Sequence, residues 1–135
     1  MRTLQIMFTL KLANRYTKCL IDTGSSKCII NKDLCDAMRI NMLKLKDDQP
    51  RNLMGANKSR MLVCGRAKVP IFINNVLVTH EFLIVKNLIC KVILGIDFLE
   101  KTEAQINVRD RIITFLMARY NYSYLGEEII FKSHL

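Results

Sequence analysis

The N-terminal segment of the chain alternates between apolar and polar side chains. Its apolar members fall at every second position: Leu4, Ile6, Phe8, Leu10 and Leu12. Because successive side chains of a strand point to opposite faces, this period of two predicts a half-buried strand. A second apolar segment, 16–21, follows the short turn at 13–15. The chain therefore begins with two predicted strands, and the second ends immediately before Asp22.

Further strands are predicted along most of the chain. They cover residues 27–30, 51–54, 60–64, 67–73, 76–85, 92–95, 105–108 and 111–116. Turn-forming residues such as Asn74-Asn75 separate them, and Gly65 predicts a bulge or bend. Helical spacing of apolar residues predicts a short helix at 32–39, with Asn31 as its N-cap, and a second at 96–103. The pattern therefore predicts a mainly β fold with several hairpins and two short helices.

Composition narrows the possible partners. The chain has 135 residues, half of them hydrophobic, which predicts one domain with a substantial core. No apolar run reaches the roughly eighteen residues of a membrane helix, and residues 1–12 lack the continuous apolar block of a signal peptide. The net charge is +9, but the basic residues are scattered and no aromatic-basic RNA-binding motif is present. We therefore expect neither a membrane nor a nucleic acid as partner.

The cysteines and histidines predict no metal, no cofactor and no disulfide. The five cysteines are an odd number and form no C-x-x-C pair: Cys19, Cys28, Cys35, Cys64 and Cys90. This argues against a disulfide framework or a zinc site and favours a reducing compartment. Neither of the two histidines lies near a plausible nucleophile motif, and His80, within a predicted strand, is interpreted as structural.

The acid after the second predicted strand lies in a distinctive context, Cys19-Leu20-Ile21-Asp22-Thr23-Gly24-Ser25-Ser26. Thr, Gly and Ser favour turns, so the carboxylate is expected where a buried strand breaks into a tight turn. Gly24 would let the backbone approach closely, and nearby hydroxyls are able to bond the carboxylate. Such a site presents a carboxylate for chemistry. Taken alone, the Asp-Thr-Gly tripeptide is explained equally well by an ordinary surface turn with Asp at its first position.

Together these segments resemble the retropepsin-like aspartic proteases, most closely those of gypsy-type long-terminal-repeat retrotransposons. They are also similar to the protease domain of DNA-damage-inducible ubiquitin-shuttle proteins. The resemblance covers roughly residues 3–116 and rests on segments 20–26, 55–57, Gly65, 92–99 and 106–108 with 111–115. It implies a closed β-barrel that forms half of a homodimeric acid protease, with one flap hairpin. Residues 1–116 are then the protease domain and 117–135 a C-terminal extension or linker.

The resemblance assigns roles to the residues of the turn. Asp22 is expected to be the catalytic aspartate. Thr23 is expected to hold two such turns together across a dimer axis, and Gly24 to form the floor of the substrate cleft. Ser25 follows Gly24, and we expect its hydroxyl to reach the outer oxygen of Asp22.

Two other segments are implied to lie around a bound peptide. Gly55, Ala56 and Asn57 are expected at the tip of a flap that closes over the substrate, although an ordinary exposed hairpin has the same pattern. Leu94 and Gly95 are expected in a hydrophobic loop packed beside the catalytic turn. The three tyrosines of 117–135 are interpreted as packing residues, and two possibilities remain open for this tail: a strand docked on the body, or the start of a linker.

Two positions depart from the retroviral pattern, which usually has an Asp and an Arg that pair beside the site. Ser26 and Ile96 stand there instead, so both partners are replaced together and no charge is orphaned. The Leu-Gly-Ile-Asp sequence instead matches the retrotransposon and shuttle-protein pattern. In it, Asp97 is interpreted as a helix cap and not as a catalytic residue.

The implied function is an aspartic endopeptidase that matures a retroelement polyprotein, in the cytoplasm or in a retroelement particle. Cleavage needs two carboxylates flanking one water, one as base and one as acid. The chain has a single Asp-Thr-Gly, so the second carboxylate must come from another copy, in a homodimer. A domesticated or shuttle-type domain that mainly binds peptides is the alternative. A third possibility, a basic domain that binds nucleic acid, is supported only by the net positive charge.

Overall fold

The structure is a computed structural model that describes residues 2–54, 60–124 and 129–133. In chain order its elements are β1 (Arg2–Leu12), β2 (Arg15–Asp22), β3 (Ile29–Asn31), α1 (Lys32–Ala37), β4 (Asn52–Met54), β5 (Arg60–Ile73), β6 (Val76–Val85), β7 (Val92–Leu94), α2 (Ile96–Lys101), β8 (Ala104–Asn107), β9 (Ile112–Phe115), a 3₁₀ turn (Leu116–Ala118), β10 (Tyr120–Ser123) and β11 (Ile129–Ser133). The prediction of a mainly β fold with two short α-helices is confirmed. Neither α-helix of the described chain is long and apolar enough to cross a bilayer.

The strands form two sheets within the described residues. The larger has the order β11-β1-β2-β7-β3-β6-β5-β4, and β1 also pairs with β5. This extra pairing closes six of the strands into a barrel, as predicted, and so removes their free edges. The smaller sheet has the order β10-β9-β8.

The β1–β2 hairpin places the end of β2 in the middle of the barrel wall. The two strands are antiparallel, with Leu12 opposite Arg15 and Gln5 opposite Asp22. On its other side β2 runs parallel to β7, where Ile21 pairs with Leu94. Asp22 is therefore held between two neighbouring strands, at the point where β2 ends.

The alternation of β1 predicts its buried face correctly. The side chains of Ile6, Phe8, Leu10 and Leu12 are at most 2% exposed and belong to the main core cluster. Burying a side chain of this size contributes roughly 1.5–3 kcal/mol each, so this face alone is a large part of the driving force for barrel closure.

Residues 60–73 form one continuous strand, where the sequence analysis predicted two. The predicted break at Gly65 is a shift in the β5–β6 register between Val63 and Gly65, so pairing continues through it. A Cβ atom at Gly65 would lie 2.5 Å from Met42 Cγ and 2.9 Å from the Leu43 carbonyl oxygen, because the 42–43 segment crosses here. The glycine therefore allows a close approach without ending the strand.

The helices are shorter than predicted. Helix α1 ends at Ala37 rather than at residue 39, since Arg39 adopts a positive φ of 56°. Helix α2 ends at Lys101 rather than at residue 103, where Glu103 has a φ of 53°. Its N-cap is Gly95 and not Asp97, which lies in the first turn.

The N-cap prediction for Asn31 is confirmed. Its Oδ1 accepts hydrogen bonds from the amides of Asp33 (2.8 Å) and Leu34 (3.3 Å), and its Nδ2 donates to the Leu88 carbonyl (2.9 Å). We expect Asn31→Ala to lower the free energy of unfolding by about 1–2 kcal/mol, since the cap and one further hydrogen bond are lost. Urea unfolding measures this, with the exposed Asn41→Ala as a control that should change little. An equal loss in both variants would contradict the assigned cap.

Both strands of the C-terminal tail pair with the body. Strand β10 pairs with β9, and β11 pairs with the start of β1. The Tyr122 hydroxyl accepts from the Asn74 amide at 2.8 Å, and Tyr124 is 1% exposed and donates to the Asn107 carbonyl at 3.3 Å. The domain boundary at residue 116 stays a prediction.

The predicted flap tip, Gly55, Ala56 and Asn57, lies outside the described residues. The strands on either side of it are described. Strands β4 and β5 are antiparallel partners, with Met54 opposite Arg60.

Candidate active site

The Asp22 carboxylate is half-buried at the end of β2, and both of its oxygens accept a hydrogen bond. The Gly24 amide donates to Oδ1 at 2.9 Å, and the Gln5 side-chain amide donates to Oδ2 at 2.9 Å. The Ser25 amide closes the turn by donating to the Asp22 carbonyl at 3.0 Å. Among the side chains that the structure describes, Asp22 belongs to none of the ion pairs. Its orientation is therefore fixed by two neutral donors, one from strand β1 and one from the turn that follows β2.

Gln5 is a residue of this site that the sequence analysis missed. It is 6% exposed, although a glutamine in the first strand was expected on the polar face. The sequence analysis placed the turn at 13–15, but the structure has a two-residue turn at Ala13-Asn14, and this register places Gln5 opposite Asp22. A buried amide directly across from a carboxylate is its natural hydrogen-bond partner.

Thr23 ties the turn to β1 within one chain. Its amide donates to the Leu4 carbonyl at 3.0 Å. Its hydroxyl accepts from the Leu4 amide at 2.8 Å and lies 3.3 Å from the Leu4 carbonyl. These bonds hold the backbone beside Asp22 in place, and the predicted role of Thr23 across a dimer axis stays a prediction.

Ser25 does not form the hydrogen bond that we expected from the sequence. Its hydroxyl donates to the Lys27 carbonyl at 2.7 Å, and not to the Asp22 carboxylate. A hydroxyl has one proton to donate, and the turn directs it forward along the chain. Gly24 and Gln5 supply the donors to the carboxylate instead.

Leu94 and Gly95 lie directly against this turn. Leu94 is fully buried at the end of β7, beside β2. A Cβ atom at Gly95 would lie 2.6 Å from the Lys27 carbonyl oxygen and 2.7 Å from that of Ser25. The amide of Ile96 donates to the Ser25 carbonyl at 2.8 Å. The start of α2 therefore supports the Asp22 turn through backbone contacts.

A second polar cluster lies behind the turn and consists of Cys28, His80 and Asp97. His80 Nε2 lies 2.9 Å from Asp97 Oδ2, and Cys28 Sγ lies 3.2 Å from Asp97 Oδ1. Burial raises the pKa of the Asp97 carboxyl, but hydrogen bonds from His80 and Cys28 and the nearby imidazole outweigh burial and hold it below its usual value. Burial raises the pKa of the Cys28 thiol, and the Asp97 charge raises it further.

The sequence analysis did not connect these three residues. It assigned Cys28 to a strand, His80 to a structural role and Asp97 to a cap. They come from β6, α2 and the segment before β3, so no short-range spacing reveals them. Only the closure of the barrel brings them together.

The comparisons with known proteins agree with this geometry. The family described as gag-polyprotein putative aspartyl protease matches residues 8–101, more than half of the chain. A search of curated proteins finds no significant match.

Solved structures with the same fold include three proteases or protease-like domains. The retroviral protease-like domain of Ddi1 from Leishmania major is 16% identical, with a TM-score of 0.69 over 90% of this chain and 94% of that one. The EIAV protease complexed with the inhibitor HBY-793 is 13% identical, with a TM-score of 0.59 over 76% and 91%. A retropepsin-like aspartic protease from Rickettsia conorii is 12% identical, with a TM-score of 0.52 over 79% and 85%. The chain has the retropepsin-like fold and belongs to the gag-polyprotein putative aspartyl protease family.

Proposed function

We propose that this chain is an aspartic endopeptidase, active as a homodimer in which two Asp22 carboxylates flank one water. The observation that carries the proposal is the Asp22 turn, where a carboxylate at the end of a buried strand is held by Gly24 and Gln5 and takes part in no described ion pair. Each Asp22 oxygen accepts one hydrogen bond from a neutral donor, which leaves acceptor capacity for a water and for a second carboxyl group. Membership of the aspartyl protease family supports the same role.

The chemistry follows from placing two such carboxylates side by side. Close carboxylates share one proton, because two negative charges a few ångströms apart repel strongly. The ionised carboxylate takes a proton from the water, and the protonated one polarises the carbonyl of the scissile peptide. The Gly24 amide and the Gln5 side chain hold each carboxylate in a fixed plane, which keeps its oxygens directed at the water.

The second carboxylate is proposed to come from a second copy of the chain. The sequence contains one Asp-Thr-Gly and no second Asp-Thr-Gly or Asp-Ser-Gly. The two cavities described on the single chain lie beside the β8–β10 sheet and beside α1, and Asp22 lines neither. A two-fold axis next to the turn would supply the missing carboxylate and the second wall of a cleft.

The proposed substrate is an extended polypeptide, and the proposed biological substrate is a retroelement polyprotein. The description of the family as gag-polyprotein protease supports this choice. The cytoplasm or a retroelement particle is the proposed location. The flap proposed at Gly55, Ala56 and Asn57 would cover the peptide. The alternative is a shuttle-type domain, which would bind peptides without cleaving them.

Incubation of the purified chain with an unfolded protein and with a library of peptides tests the proposal. Mass spectrometry should find new C-termini whose carboxyl group carries one oxygen from labelled water, because water is the nucleophile, while the matching new N-termini are unlabelled amines. A peptide with a hydroxyl-bearing tetrahedral carbon should inhibit, since it resembles the transition state. If the chain binds this inhibitor but cleaves no peptide of the library, the proposed enzyme activity is wrong and the chain is a peptide-binding module.

Mixing wild type with Asp22→Asn tests the dimer. Heterodimers hold one working carboxylate, so an equal amount of Asp22→Asn should lower wild-type activity to about half and a ninefold excess to about a tenth. The dilution curve of wild-type activity should also have its midpoint at the dimer dissociation constant from sedimentation. If wild-type activity per chain changes neither with the added variant nor with dilution, a single chain is sufficient for cleavage.

A further inference from the structure

The cluster behind the catalytic turn brings together three side chains that are all metal ligands in other proteins. The ligand atoms of Cys28, His80 and Asp97 lie within 4.8 Å of one another. Cys28 is fully buried, and the side chains of His80 and Asp97 are 10% and 19% exposed. The site is therefore largely dry but opens to solvent beside Asp97, which leaves an entry path for an ion.

We propose that Cys28, His80 and Asp97 form a binding site for a zinc-like divalent cation. A thiolate, an imidazole and a carboxylate are the three ligand types that Zn²⁺ takes in proteins. Three protein ligands leave a fourth position of the tetrahedron for water, and the exposed side of Asp97 is where that water would lie. The thiolate disfavours Mg²⁺ and Ca²⁺, which prefer oxygen ligands.

The distances need only small changes to accept the ion. Zinc bonds of about 2.0–2.3 Å at tetrahedral angles separate ligand atoms by roughly 3.3–3.6 Å. The Cys28 sulfur lies 3.2 Å from one Asp97 oxygen, and the His80 nitrogen lies 2.9 Å from the other. Small rotations of side chains are enough to open both pairs to the required separation.

The surroundings already orient the ligands. The Gly95 amide donates to Cys28 Sγ at 3.3 Å, and the Phe98 amide donates to Asp97 Oδ1 at 2.8 Å. The His80 ring packs edge-on against Phe82 and Phe98, with centroids 6.0 and 5.6 Å away. Hydrogen bonds and packing of this kind fix the ligand atoms and stabilise a thiolate, so less reorganisation is needed on binding.

Charge balance favours the bound state. On binding, the thiol loses its proton to solvent, so one thiolate and one carboxylate neutralise the two positive charges of the ion while His80 stays neutral. The thiolate and the carboxylate together balance the charge of the ion, so the occupied site buries no net charge. The ion would join β6, α2 and the segment that follows the catalytic turn.

Titration of the reduced, metal-free full chain with Co²⁺ tests this site directly. A phosphine reductant avoids competing thiols. We expect one Co²⁺ per chain, a thiolate-to-cobalt charge-transfer band, its loss when Zn²⁺ is added, and a higher melting temperature with Zn²⁺. Cys28→Ser should remove the band, and Asp97→Asn should weaken binding by about tenfold or more.

His80→Gln separates a metal site from a purely hydrogen-bonded cluster. The glutamine amide is able to donate to Asp97, so the metal-free protein should stay folded by circular dichroism, yet an amide is a poor zinc ligand. Its melting temperature should therefore no longer respond to Zn²⁺. Cys64→Ser and Asp22→Asn are matched controls that should bind Co²⁺ like wild type, so the result does not depend on protease activity. No charge-transfer band in the wild type, or an unchanged band in Cys28→Ser, would overturn the proposal.

Discussion

Asp22→Asn is expected to abolish peptide cleavage and to leave the fold and the dimer intact. The substitution removes the group that accepts the proton of water, and a general acid–base residue contributes about 10²–10⁴-fold to the rate. The new side chain keeps its shape, and its carbonyl oxygen is still able to accept from the Gly24 amide. A rotation of the Gln5 amide presents an oxygen in place of its NH₂, so the second hydrogen bond is also kept. Values of kcat/KM and sedimentation of both proteins measure the two effects.

Asp36→Asn is the matched control for this substitution. It makes the same chemical change in a side chain that is 57% exposed and pairs with Lys32 at 2.7 Å on α1. Exposed pairs of this kind contribute only about 0.2–1 kcal/mol, so cleavage should remain at the wild-type level. If Asp22→Asn also keeps more than a tenth of wild-type kcat/KM while Asp36→Asn is unchanged, another residue carries the chemistry.

The parts of the fold set by local pattern could be predicted from the sequence. The alternation in β1 predicts which face is buried, because the side-chain period of a strand is two. The first turn was predicted at 13–15, one residue longer than the Ala13-Asn14 turn of the structure, so the register that places Gln5 against Asp22 was not predicted. The N-cap at Asn31 is equally local, since its partners are two and three residues away.

The rest depends on contacts between distant segments. Strand β7 pairs with β2 in parallel and with β3 in antiparallel orientation, and no local pattern in three residues specifies either partner. The cluster of Cys28, His80 and Asp97 exists only because of this arrangement. The predicted hydrogen bond from the Ser25 hydroxyl to Asp22 was wrong for a local reason. The choice between the Asp22 carboxylate and the Lys27 carbonyl as acceptor depends on the conformation of the turn, which the residue types alone do not fix.

Gly95→Ala is expected to damage the proposed active site by displacing the Asp22 turn. The backbone of Gly95 has φ −94° and ψ −175°, which alanine adopts without strain, so the effect is purely steric. Its Cβ would lie 2.6 Å from the oxygen and 2.7 Å from the carbon of the Lys27 carbonyl, and 2.7 Å from the Ser25 oxygen. All three are backbone atoms, so the turn itself must move. Overpacking of this kind lowers the free energy of unfolding by about 1–3 kcal/mol.

The loss of activity should exceed what this destabilisation explains. The displacement weakens the 2.8 Å hydrogen bond from the Ile96 amide to the Ser25 carbonyl, and a shift of about 1 Å in catalytic geometry costs roughly 10²-fold. Gly65→Ala is the steric control, because its added Cβ would meet the Met42 side chain at 2.5 Å and the Leu43 carbonyl oxygen at 2.9 Å, and its nearest contacts include no atom of residues 22–27. Urea unfolding and kcat/KM per folded dimer, measured on both variants, separate stability from geometry. We expect Gly65→Ala to lose stability and keep most of its kcat/KM. If Gly95→Ala retains wild-type kcat/KM per folded dimer, the turn does not depend on this contact.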